Sequence, residues 1–157
     1  MTRLRGRAPR GQRVHGSAPC GRWRTTTMIG SMRADGSTAC MTIQSATDAR
    51  VFRAYVEQVL CPALRAGDIV VMDNLSSHKS EAALELIRQC GASVEFLPAY
   101  SPDLNPIEKM WSKVKNHLRG AEARTPEELD SAIAAALEKV TAKDAIHWFA
   151  SCNYNFI

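Results

Sequence analysis

Two carboxylates carry the chemical interest of this 157-residue sequence, Asp73 and Glu108, with 34 residues between them. Asp73 closes the apolar run Ile69 to Met72 in "VVMDNLSSH". Ligands of α/β sheets sit beyond the carboxyl ends of strands, where side chains leave the sheet for a cleft. The other use of such an acid is an Asx turn with Asn74 into the next element. Glu108 lies in "SPDLNPIEKMWSK", at the third position of a helix that Asn105 can cap and Pro106 can open. There it either supports the cap and the helix dipole or serves as a ligand. At 100° per residue it stands on one line with Ser112, Lys115 and Arg119, beside the buried stripe, an arrangement that suits a metal at the top and phosphates below.

The elements that must place these acids follow from pattern. β-branched residues flank Asp35-Gly36 in "TTTMIGSMRADGSTACMTIQ", which predicts a hairpin with strands at about 24–33 and 37–44. Val51, Phe52, Tyr55, Val56, Val59 and Leu60 recur at helical spacing, so a helix is expected over 48–61, bent or ended by Pro62. "DIVVMD" reads as a strand buried on both faces. A helix over 79–90 with Gly91 as its cap comes next, then the strand "SVEFLPAY", stopped by Pro98. Ile107, Met110, Trp111, Val114 and Leu118 form the apolar stripe of the helix that bears Glu108. Thr125 to Glu128 is a capping box opening another helix, and "TAKDAIHWFASC" supplies a short last one. A hairpin followed by alternating helix and strand implies an α/β domain, a mixed sheet flanked by helices.

Composition bounds the class. With 45% hydrophobic and 23% charged residues the chain reads as one globular domain. No apolar run approaches the roughly 18 residues of a membrane span, and no signal peptide is evident, so the expected location is the cytoplasm. The five cysteines (20, 40, 61, 90, 152) show no C-x-x-C pair and are expected as reduced thiols. The net charge of +4 is local: seven arginines (Arg3, Arg5, Arg7, Arg10, Arg13, Arg22, Arg24) and no acid fall in residues 1–24. That arm either grips phosphates or is a solvated tail; residues 25–157 form the domain proper.

"VVMDNLSSHKS" followed by "VEFLPAYSPDLNPIEKMWSKVKNHLR" resembles the second half of the catalytic core of mariner-superfamily DDE transposases, in particular their bacterial insertion-sequence branch. The motif S-P-D-L-N-P-I-E with a Trp three residues on is highly specific, and the Asp73 to Glu108 spacing matches the family's second and third catalytic acids. The resemblance covers about residues 3–150. It implies an RNase H-like fold, Asp73 and Glu108 as catalytic metal ligands, and Mg²⁺ or Mn²⁺ as cofactor. It also implies DNA as partner, cleaved at a transposon end and joined to a target, in a nucleoid-associated bacterial protein. Asn74, His78 and Asn105 belong to the matched motifs and are expected to shape the pocket. Arg3, Arg5, Arg7, Arg10 and Arg13 of the arm, with Lys109, Lys113, Lys115 and Arg119, are candidates for backbone contacts. Trp111 is expected in the core.

The family places its first acid on an opening strand that is central in the sheet, and this sequence has no such residue. Its first acid is Asp35, in the hairpin turn, and Asp48 opens a helix. Residues 1–15 make a poor central strand, with arginines, glycines and proline crowded at their start. The expectation is therefore an RNase H-like domain lacking its first strand, the downstream part of a longer transposase, joined as a homodimer or to the upstream segment. The alternative is a catalytically silent fragment acting as a DNA-binding or assembly module that inhibits the full enzyme.

Overall fold

A computed structural model describes residues 6–16 and 25–154. Strands β1 (Thr27–Met32) and β2 (Thr38–Ile43) pair antiparallel, with Thr27 opposite Ile43 and Met32 opposite Thr38. Their turn is the expected one: Gly36 takes a φ of 87°, a conformation open to glycine, and Asp35 Oδ1 accepts the Ser37 N–H at 2.8 Å. Helix α1 (Ala49–Tyr55) is capped by Asp48, widens into a π turn (Val56–Leu60), and runs on into α2 (Cys61–Ala63). Pro62 was expected to bend or end this helix: the π turn comes just before it, and the helix ends one residue after it, at Ala63.

Strand β3 (Ile69–Met72) pairs parallel with β4 (Ser93–Phe96), joined by a 3-10 turn (Ser76–Lys79) and helix α3 (Glu81–Gln89). β4 ends before Pro98 and is shorter than its apolar run suggests. Another 3-10 turn (Pro102–Leu104) leads to α4 (Pro106–Ala121), α5 (Pro126–Leu137) and α6 (Ala142–Ser151). The expected single mixed sheet forms as two separate pairs, one antiparallel and one parallel.

Two apolar cores result. One gathers Phe52, Tyr55, Val56, Leu60, Met72, Leu84 and Ile87 around α1, α3 and β3. The other gathers Met110, Val114, Leu118, Ile133 and Val140 around α4, α5 and the segment before α6. The hairpin is the wall between them: Ile29 and Met41 pack toward the first core, Met28, Met32 and Cys40 toward the second. Strand alternation makes this two-sided use possible. Gly30 is required on the second face, because a Cβ there would collide with Cys40 Sγ and lie 3.0 Å from the Trp111 ring. Burial in this wall pushes the Cys40 thiol up to about 11, which leaves it protonated and inert.

Candidate active site

Both acids line one cavity of about 700 Å³, together with His78, Asn105 and Trp111. Asp73 follows β3 directly, so the parallel ladder carries it to the strand's carboxyl end. Its Oδ1 accepts the Leu75 N–H at 3.0 Å, which is the Asx turn, and lies 2.7 Å from His78 Nδ1. The turn does not consume the whole carboxylate: Oδ1 makes it, while Oδ2 takes no hydrogen bond among the described residues. His78 is held from the other side by the Phe52 ring, centroids 4.5 Å apart. Its Nδ1 is in ion-pair range of Asp73 but not aligned for a hydrogen bond. The imidazole therefore fixes where the carboxylate stands rather than saturating it.

Glu108 is exposed, at the third position of α4. Asn105 occupies the N-cap position, but its side chain makes no capping hydrogen bond, contrary to the expectation from sequence. No reciprocal cap binds Glu108, whose carboxylate accepts nothing among the described residues. Asn74 donates through Nδ2 to the Leu97 carbonyl and so braces the Asp73 loop against the segment that leads to α4.

Of the α4 cations, Lys109 donates to Ser151 Oγ, and Lys113 reaches Asp144 and the Lys139 carbonyl, each at 2.6 Å, with Trp148 beneath it. These two hold α6 against α4. Lys115 and Arg119 make no side-chain bond among the described residues. In the arm, Arg7, Arg10 and Arg13 are exposed on a segment without helix or strand; Arg3, Arg5, Arg22 and Arg24 lie outside the described residues. Among the described residues no three His, Cys, Asp or Glu side chains cluster as a metal site. Two open carboxylates still fit a hard divalent ion, since Mg²⁺ is held by one or two carboxylates and fills its shell with water and phosphate oxygens.

A feature missed by sequence reading lies at the far end of the cavity. Arg33, just past β1, grips Asp68, just before β3, with Nη1–Oδ2 2.5 Å and Nη2–Oδ1 2.8 Å. The guanidinium bond, with the Arg65 N–H, holds the Asp68 carboxyl down at about 2. An acid opening "DIVVMD" was visible, but nothing near it named a partner 35 residues away. Lys113 similarly lowers Asp144 to about 2.

Over 85 residues the chain is 33% identical to the transposable element Tcb2 transposase of Caenorhabditis briggsae, covering 52% of this chain and 31% of that protein. The Tcb1 transposase of the same organism is 28% identical over 97 residues, covering 59% and 36%. The chain thus spans about a third of the length of these relatives. Its fold is similar to the protein in the crystal structure of the Mos1 strand transfer complex, with a TM-score of 0.57 at 18% identity, covering 99% of this chain and 51% of that one. No helix among the described residues is long and apolar enough to cross a membrane. The DDE superfamily endonuclease model matches residues 1–130, and the chain belongs to that family.

Proposed function

We propose that this chain is the downstream part of a transposase catalytic domain, in which Asp73 and Glu108 hold Mg²⁺ or Mn²⁺ for cleavage of a DNA end and its transfer to a target. The observation that carries this reading is that two acids from different elements line one cavity with their carboxylates left open. Divalent ions bound there would activate the attacking oxygen and stabilise the leaving one. The residues of the chain then have distinct tasks. Asp73 presents Oδ2 while the Leu75 N–H and His78 hold Oδ1, and Asn74 fixes its loop. Glu108 presents its carboxylate from the first turn of α4. Asn105 shapes the pocket between them. Lys115, Arg119 and the arm's arginines meet phosphates by charge. The bacterial branch is proposed from the S-P-D-L-N-P-I-E motif alone.

The same reading includes a further strand between β1 and β3, carrying the remaining acid and supplied by an upstream segment or by association with another chain. Four observations support it. The two strand pairs share no ladder, and the cavity is lined by both β1 and β3. Ile69 and Val71, apolar strand residues, are 64% and 38% exposed on the uncovered face of β3. Arg33, just past β1, and Asp68, just before β3, meet across one end through long side chains and without a backbone bond between the strands.

The lack of a three-residue ligand cluster among the described residues favours a second reading, a silent fragment that binds DNA or assembles with the full enzyme. A supercoiled-plasmid nicking assay with Mg²⁺ or Mn²⁺ separates the two. Nicking that disappears in Asp73→Asn supports the catalytic reading. No nicking, even after an acid-bearing strand is joined upstream, favours the fragment.

A further inference from the structure

Three non-glycine residues among the described ones have positive φ, and two of them have an ordinary reason. Glu122 (φ 51°) ends α4, and Asn153 (φ 65°) follows α6, positions where a left-handed residue closes a helix. Tyr100 (φ 58°) ends no helix. It is a bulky side chain in a conformation that such residues rarely adopt, and its ring is fully exposed, 101% of its reference area. The molecule therefore bears backbone strain at Tyr100 and gains no packing from it in return. Strain that local packing does not explain points to a partner outside the chain.

The position of the ring narrows the partner. The loop from Leu97 to Asn105 is tied at both ends to the site. Leu97 N–H donates to the Met72 carbonyl at 2.8 Å, its carbonyl accepts from Asn74, and the other end opens the helix of Glu108. Three residues of chain reach at most about 11 Å, so Tyr100 stands within that distance of Leu97, whose N–H is bonded to Met72, the residue before Asp73. Pro98 and Pro102 flank it, and the turn Pro102–Leu104 closes with the Asn105 N–H on the Pro102 carbonyl at 3.1 Å. A ring held out by a stiff loop loses little freedom on contact, which favours face-on recognition of a flat apolar surface.

We propose that Tyr100 is a stacking platform for an unpaired nucleobase next to the phosphate held by the two acids. The proposal rests on the DNA-cleaving function argued above and adds the state of the substrate: a base lifted out of the duplex beside the scissile linkage, not an intact helix. Stacking on an aromatic ring accepts any base and is lost when the ring is truncated.

The test is fluorescence titration of the full chain with a short duplex whose single-stranded overhang contains 2-aminopurine, alongside the same duplex without an overhang. Stacking quenches the probe. We expect quenching with the wild-type chain and with Tyr100→Phe and Tyr100→Trp. Tyr100→Ala should lose the quench and bind the overhang about tenfold more weakly. The blunt duplex should bind Tyr100→Ala as it binds wild type. Tyr100→Gly relieves the backbone, so it should lose quenching while melting no lower than wild type, which excludes misfolding as the cause. Equal quenching and affinity in wild type and Tyr100→Ala would overturn the stacking role and leave the acids' role standing. Failure to bind either duplex would overturn both.

Discussion

Helices α4, α5 and α6 all place an acid at their third residue, and they put it to opposite uses. In α5, Glu128 accepts the N–H groups of Thr125 and Arg124 at 3.1 and 2.7 Å, while Thr125 accepts the Glu128 N–H in return. In α6, Asp144 and Thr141 exchange the same bonds, and Lys113 adds an ion pair. In α4, Asn105 stands where the threonines stand, makes no side-chain cap, and leaves Glu108 unengaged. The threonine acids stabilise their own helices; Glu108 contributes nothing visible to α4 and remains available to a ligand. A carboxylate kept out of local bonds beside a cavity sets Glu108 apart from the other two acids more clearly than its position in sequence does.

The contrast can be broken most decisively at the acids themselves. Glu108→Gln and Asp73→Asn should each lower metal-dependent nicking at least about a hundredfold, the upper range for loss of a ligand's supporting partner, so a direct ligand should cost no less. Glu108→Gln should leave the urea midpoint within about 0.5 kcal/mol of wild type, since no bond in the fold uses the carboxylate. At α6 the pattern reverses. Asp144→Ala should cost about 1–2 kcal/mol, from the cap and a partly exposed ion pair, with nicking retained once conditions keep the chain folded. Thr141→Ala should cost about 1 kcal/mol.

Acid titration probes the same division. Asp68 and Asp144 are held at about 2 in the folded chain, below the unfolded value of roughly 3.9. Their contribution to stability is therefore complete above about pH 4 and is lost as pH falls from about 4 through 2. Urea midpoints measured down that range should fall, and the fall should be shallower in Asp68→Asn and in Asp144→Asn. The smallest effect belongs to Asn105→Ala. With no cap to lose it should shift stability by less than about 0.5 kcal/mol, and a cost near 1 kcal/mol would show that Asn105 caps α4 after all.

Local chemistry made much of this legible from sequence. Asp35-Gly36 announces its turn because a short-range hydrogen bond and a positive φ suffice to form it. Thr125 and Glu128 announce a helix start because the cap lies within four residues. The stripe from Ile107 to Leu118 follows from helical period alone, and the acid at the end of Ile69 to Met72 follows from the strand. What could not be read depends on distant neighbours. The Arg33–Asp68 pair forms only when a hairpin end meets a strand start. The failure of Asn105 to cap is a matter of side-chain direction, which residue type does not fix. The division into two strand pairs depends on what lies between them, and periodicity within each strand is the same either way.

The hairpin wall has one consequence for the site. Met72, next to Asp73, is rooted in the core on one side of that wall, and Ile107 and Met110, on either side of Glu108, pack in the core on the other. The two acids are thus carried by separate cores, with the hairpin between them. A volume change at Ile29 or at Met28, on the hairpin and on neither acid's own element, would act like a shim between these cores without touching the chemistry of either acid.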